Sequence, residues 1–344
     1  MEAEKAEGNL NRLKGSVEKD LSIETLRGFA IVFMVAGHII GSSLTGMRVA
    51  DNSVWRYFYF AFEFIRMPLF TVISGYIYSF RPAADSKYSD FIRGKARRVL
   101  LPLIFVATLH CISQYFVPDT NVKLPLSDIW KIYIFPYEHF WFLQAIFLIF
   151  LVVGLIDKLK LMQKIENWLI IFLAASLIRN MIPEFRINVF SADRFLNLLP
   201  FFILGCGIQR FNGYFTSRVL IRLAIIVFIL SFGLQQYTWF SNYTLDLYET
   251  KTLSLFVACA GIILLFHVRK NINIMSKIGY YAFGIYLFHV LGTAGSRIFL
   301  MRVGVLEHYI LFICGLLCGI ALPILIEMVF EKSKILRRLF LGLR

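Results

Sequence analysis

The chain is built from apolar runs of about twenty residues, and this feature limits its fold more than any other. A helix needs roughly 20 mostly apolar residues to cross about 30 Å of hydrocarbon. By that measure ten segments qualify, near 26–45, 55–80, 98–117, 139–157, 167–182, 194–210, 218–237, 252–267, 274–297 and 309–330. The fifth and sixth are short, so the count holds to about one span. A soluble fold of 344 residues that is 58% apolar and only 17% charged would lack the surface to stay dispersed. Disorder is excluded by the same hydrophobicity, which is +0.68 in mean hydropathy. The expected fold is an all-α polytopic membrane bundle of about ten transmembrane helices.

Charge then orients the bundle. Of the 36 Lys and Arg, 25 fall in the segments on the same side as the N-terminus, ten fall in the opposite loops, and Arg66 lies within the second span. Lys and Arg gather on the cytoplasmic side, so both termini are expected there. The net charge of +14 is therefore read as topology before it is read as nucleic-acid binding. Residues 1–21 lack the apolar core of a signal peptide and read as a cytoplasmic tail. Residues 22–330 form the membrane domain, and 331–344 a basic cytoplasmic tail. Cys111, Cys206, Cys259, Cys314 and Cys318 all sit in apolar runs, with no pattern of a disulfide framework or a zinc site. No metal is expected.

Ionisable groups inside apolar spans are costly, and each is a functional candidate. In the first span Arg27 and His38 are eleven residues apart. That is close to three helical turns and about 16 Å of rise, so both share nearly one face. A cation at the inner mouth suits a phosphate, and a deeper imidazole suits proton transfer at an alcohol. The plainer alternatives are a helix anchor for Arg27 and an interhelical hydrogen bond for His38.

The second span carries Glu63 at the depth of His38. With Arg66 three residues on, an internal ion pair is favoured over catalysis. Ser74 and Gly75, deeper toward the cytoplasm, permit either close helix packing or approach of a ligand to the backbone. Arg93, Lys95, Arg97 and Arg98 follow at a helix start, where the dipole prefers anions. They fit lipid headgroups or a polyphosphate ligand.

At the outer edge of the fourth span, Glu138, His139 and Trp141 read either as an interfacial belt or as a hold on a hydroxylated acceptor. His289, twelve residues beyond Lys277, falls at a depth similar to that of His38. The two could line one cavity. His110, His267 and His308 have no comparable context and read as structural or interfacial.

Taken in order, Arg27-x10-His38, MPLFTVISGY at 67–76, the basic run 93–98 before VLLP, HFWFL at 139–143, LPFFILG at 199–205 and GIYLFH ending at His289 resemble the acyltransferase-3 family. The resemblance covers about residues 22–330. It implies a bundle of about ten helices in a bacterial inner membrane that moves an acyl group, commonly acetyl, from cytoplasmic acetyl-CoA to a glycan or lipid-linked sugar. It implies His38 as the catalytic histidine, and the depth of Glu63 in the second span sets that carboxylate beside it as a further candidate. Together with the reading of the spans, this makes Arg27, Lys95, Arg98, Ser74 and Gly75 the candidates to hold the donor, and Glu138, His139, Trp141 and His289 the candidates to hold the acceptor. In the family's Arg-x-x-Arg motif Lys95 replaces the first Arg, which keeps the charge and loses the bidentate fork. Some relatives carry a further hydrolase-like domain outside the membrane. None is seen here, so transfer is expected to finish within the bundle or with a separate partner, such as a protein of glycan assembly. Succinyl transfer to periplasmic glucans is the nearest alternative. A proton-coupled transporter using Glu63, His38 and His289 is another class, though no inverted repeats support it. A non-catalytic scaffold would leave the buried ionisable groups unexplained.

Overall fold

The computed structural model describes residues 20–343 apart from 119, 121, 122, 184 and 186. The expected N-terminal tail thus lies outside the described residues except for Asp20 and Leu21. The long helices are α1 (Leu21–Ile40), α2 (Val54–Tyr78), α3 (Tyr88–Phe116), α4 (Trp141–Lys158), α5 (Ile165–Met181), α6 (Ala192–Arg210), α7 (Arg218–Phe240) and α8 (Leu247–Val268). They are followed by the short α9 (Asn273–Tyr280), then α10 (Ala282–Arg302), α11 (His308–Glu331) and the short α12 (Lys334–Leu341). No strand occurs among the described residues, and the single β-bridge joins Gly41 to Gly46.

Nine helical segments among the described residues are long and apolar enough to span a membrane. The expected tenth, 167–182, is α5, which has 17 residues. The chain is an all-α polytopic bundle, as its apolar runs predict. Successive helices run antiparallel, so α1, α3, α5, α7 and α10 begin on one face, called here the near face, and end on the far face.

Local chemistry sets the helix ends. Asp20 starts α1 by accepting from the Ser22 amide at 3.0 Å, and Ser53 and Ser217 cap α2 and α7 in the same way. At α8, Asp246 and Glu249 form a reciprocal capping box. Each side chain answers an N–H that the first helical turn leaves without a partner.

Packing inside lipid depends on close backbone approach rather than on hydrophobic driving force. Two glycine contacts provide it. Gly279 of α9 abuts the Glu24 carbonyl of α1, and Gly28 of α1 abuts the Met275 carbonyl of α9, so a Cβ at either would collide with backbone. Gly75 of α2 meets the Phe202 carbonyl of α6, and Gly205 of α6 meets the Val72 carbonyl. The first crossing fixes α1, and with it His38, against α9, and the second fixes α2 against α6.

Toward the near face a buried polar lock joins three helices. Arg210 donates to both oxygens of Asp157 at 2.6 and 2.7 Å, and the Tyr78 hydroxyl donates to the same carboxylate at 2.6 Å. The pairing satisfies charges that would otherwise be costly so far from water.

The basic C-terminal stretch contains α12, which Ser333 caps. Leu341 at its end is buried, and α12 packs on α3 and α11.

Candidate functional site

A cavity of about 520 Å³ enters the bundle from the far face. The end of α1 and the turn after it, the first half of α2, the start of α4 and the second half of α10 form its walls. His38 stands on α1 with its ring exposed to this cavity. The helix continues unbroken from there to Arg27 near the other face.

Four histidines from four helical segments converge here. The His38 ring centre lies 4.9 Å from that of His289 and 6.1 Å from that of His139. His139 and His289 are 4.6 Å apart, and His110 of α3 is 5.7 Å from His139. His110, His139 and His289 are buried.

The His289 Nδ1 lies 3.2 Å from the Ile285 carbonyl and 3.0 Å from the Tyr286 carbonyl. A carbonyl only accepts, so this geometry assigns the proton to Nδ1 and leaves the Nε2 lone pair without a partner in the described structure. Hydrogen bonding to backbone thus fixes both the tautomer and the direction of the ring. The rings meet at interplanar angles of 47° to 86°. No group of three or more His, Cys, Asp or Glu that could hold a metal ion occurs among the described residues.

Glu63 is exposed to the same cavity, and so is Glu138, which accepts from the Gln114 amide at 3.3 Å. Trp141 also lines it, with the Arg194 guanidinium stacked 5.6 Å from its ring centre. The expected Glu63–Arg66 ion pair does not form within 4.0 Å among the described residues. The Arg66 guanidinium instead lies 4.1 Å over the Tyr59 ring and directly against Gly37. Three turns of separation on α1, the depth of Glu63 on α2 and the start of α4 therefore place His38, Glu63, Glu138 and Trp141 around one space. His139 and His289 pack against His38 and are not among the residues that line the cavity.

The near face carries the cations. Arg27 donates to both oxygens of the buried Glu24, at 3.0 and 3.1 Å. It also lies within electrostatic range of Arg98. A second cavity, of about 470 Å³, is lined by Lys95, Arg97 and Arg98 together with Arg81, Gly342 and Leu343. The Lys95 ammonium sits 4.0 Å over the Phe150 ring and 5.3 Å from that of Phe91, a site that holds a cation without neutralising it. The Arg98 guanidinium stacks 4.9 Å over Phe283 and donates to the Leu341 carbonyl at 3.2 Å.

Ser74 and Gly75 stand apart from this cavity. The Ser74 hydroxyl donates back to the Phe70 carbonyl at 2.8 Å, and the face of Gly75 is filled by α6. Of the two alternatives the sequence offered for this pair, close helix packing is the one the geometry displays.

Three features escaped the sequence reading. His110 joins the histidine cluster, although its flanking residues carry no signal. Arg56 and Arg297 line the far cavity, and only their position inside or beside apolar runs could have marked them. The carbonyls that end α12 cover Arg97 and Arg98, a long-range contact with no local signature.

Comparison with known proteins agrees with this architecture. The profile of the acyltransferase-3 family, described as an acyltransferase domain, matches residues 20–331. Nodulation protein NolL of Mesorhizobium japonicum is 25% identical over 261 residues, which is 72% of this chain and 65% of that protein. Nodulation protein NolL of Sinorhizobium fredii is 27% identical over 193 residues, 56% of this chain and 49% of that protein. The chain thus spans about half to two thirds of the length of the curated relatives it matches. No solved structure matches it. With helices α1 to α11, the far cavity and nearly all of its length inside the matched region, the chain belongs to the acyltransferase-3 family of membrane acyltransferases.

Proposed function

We propose that this protein transfers an acyl group, acetyl in the first instance, from acyl-CoA at the near face to a hydroxyl of a glycan or lipid-linked sugar at the far face. The observation that carries the reading is the placement of His38. It is open to the far cavity while its own helix leads back to Arg27, beside Arg98 at the other face. The Lys and Arg bias supports a cytoplasmic near face, with acyl-CoA on the side of the cations and the acceptor on the side of the open cavity. A bacterial inner membrane is the matching location.

In this reading the CoA phosphates meet Lys95 and Arg98, with Arg27 nearby, and the pantetheine arm lies between helices toward His38. The His38 lone pair takes the proton from the acceptor hydroxyl as its oxygen forms a bond to the thioester carbonyl carbon. The tetrahedral intermediate then collapses, the C–S bond breaks, and the departing thiolate recovers the proton from His38. Atoms and charge balance with no net proton released. A path through an acyl-histidine satisfies the same balance in two steps. Glu63, at the edge of the same space, orients the acceptor hydroxyl.

The test is His38→Ala in purified protein that retains its wild-type thermal midpoint, supplied with labelled acetyl-CoA and an extracted surface-glycan acceptor. Loss of labelled ester is expected. Transfer at the wild-type rate would overturn the proposal.

A further inference from the structure

The last helix, α12, begins where the chain leaves the membrane. It starts at Lys334, just after the span α11 ends at Glu331. Its eight residues, KILRRLFL, sort onto two arcs at about 3.6 residues per turn. Ile335, Leu336, Leu339 and Phe340 share one arc, and Lys334, Arg337 and Arg338 share the other. A short helix with one apolar and one basic arc suits the plane of a bilayer surface rather than a crossing.

Its contacts set its depth. The Phe340 ring lies 4.9 Å from that of Phe330 on α11 and 5.9 Å from that of Phe105 on α3. Phe105 stands about 9 Å of helical rise beyond Val99, where the apolar run of α3 begins. The end of α12 therefore sinks below the headgroups by about the 5–10 Å that interfacial helices reach. At its other end Ile335 is 68% exposed, with Lys332, Lys334 and Arg338 exposed around it. None of these three cations forms an ion pair among the described residues.

We infer that α12 lies along the near-face boundary of the bilayer and binds the headgroup of an anionic phospholipid through Lys332, Lys334 and Arg338, with Ile335 against its acyl chains. An uncovered isoleucine beside three cations matches a ligand with a charged head and an apolar chain, which a soluble anion lacks. Residues 1–19 are a poor alternative cover, because their four acidic side chains are balanced by four basic ones. The contact bears on the near cavity. The Leu341 and Gly342 carbonyls at the end of α12 accept from Arg98 and Arg97, so a lipid that seats α12 also seats that wall. Its bearing on the acyl donor rests on the proposed function; the lipid contact itself does not.

The experiment titrates phosphatidylglycerol, and separately phosphatidylcholine with the same acyl chains, into the detergent-purified full chain. Native mass spectrometry counts the lipids bound. The first phosphatidylglycerol is expected to bind roughly tenfold tighter or more than phosphatidylcholine, since each cation near a negative headgroup contributes about fivefold. Lys332→Gln, Lys334→Gln and Arg338→Gln together are expected to remove most of that preference and to leave phosphatidylcholine unchanged. If the triple variant fails to keep the parent thermal midpoint, the pair Lys334→Gln, Arg338→Gln serves in its place. Ile335→Asn keeps the cations and is expected to weaken phosphatidylglycerol by a smaller factor.

A preference for phosphatidylglycerol that the substitutions abolish upholds the inference. Equal affinity for the two lipids, or a preference that survives the substitutions, would overturn it. Displacement of phosphatidylglycerol by an equal concentration of glycerol phosphate would also overturn it, by making the surface a site for soluble phosphate. The assay contains no acyl transfer, so its failure is distinct from retention of activity in His38→Ala, which would overturn the function instead.

Discussion

The imidazole of His289 stands 4.9 Å from that of His38, ring centre to ring centre, although the two lie 251 residues apart on α10 and α1. Backbone carbonyls hold the His289 Nδ1, so its Nε2 lone pair remains to face the other rings. Packed ring against ring, such a group restricts the position of a neighbouring base without touching substrate. Substituting His289 with Gln is expected to lower kcat for acyl transfer by roughly one to two orders of magnitude. The KM for acyl-CoA should stay within about twofold, because the donor cations are on the opposite face. Steady-state kinetics on protein with an unchanged thermal midpoint checks this. A rise in KM with kcat intact would show that His289 has no part in positioning His38.

The Asp157–Arg210 pair yields a prediction about stability. Its carboxylate collects two bonds from Arg210 and one from Tyr78, tying α2, α4 and α6 together where water is scarce. Asp157→Asn leaves the guanidinium buried and uncompensated, a loss of about 3–5 kcal/mol for pairs of this kind. A lower unfolding midpoint in detergent is expected, with part of the loss recovered in the double variant Asp157→Leu, Arg210→Met. A single variant as stable as the parent would show that water reaches the pair.

Local pattern reaches as far as single helices and stops where helices meet. The apolar runs and the Arg27–His38 register depend on spacing within one segment, and both appear in α1 as expected. The depth of His289 was likewise readable from Lys277, but contact with His38 depends on α9 crossing α1 at Gly28 and Gly279. Nothing in either segment encodes that crossing partner. The Glu63–Arg66 spacing invites an ion pair, yet Tyr59 and Gly37 offer Arg66 a stacked, close-packed position instead. His110 gives no local sign because its neighbours His139 and Tyr137 arrive from beyond the 117–136 connection.

That crossing can be tested directly. A Cβ at Gly279 would meet the Glu24 carbonyl, a backbone atom that cannot turn aside. Gly279→Val should therefore push α9 from α1 and destabilise the protein by about 1–3 kcal/mol or more. Gly233→Ala on α7 is the control, since nothing lies within 4 Å of its added Cβ. It should be neutral or slightly stabilising, by up to about 1 kcal/mol. Thermal midpoints of the two variants give the comparison. Equal midpoints would mean that α9 does not bear on α1 as described.

The last prediction concerns α12. Its terminal carbonyls accept from Arg97 at 3.4 Å and from Arg98 at 3.2 Å, and Gly342 and Leu343 form part of the near-face cavity wall. A helix C-terminus carries partial negative charge, so these contacts hold the two guanidinium groups in place while leaving other donors on each for a ligand. Truncation after Ser333 has two opposing effects. It frees donors that a phosphate could use, and it removes the wall and the anchors that fix their direction. Each anchor bond contributes about 0.5–1.5 kcal/mol, and a preorganised fork binds better than a mobile one. The second effect should dominate, raising the KM for acyl-CoA about three- to tenfold. The kcat should not change, because His38 lies beyond the reach of α12. Acyl-CoA saturation curves for the truncated and full-length proteins decide the matter, and a lower KM after truncation would show that α12 competes with the donor rather than shaping its site.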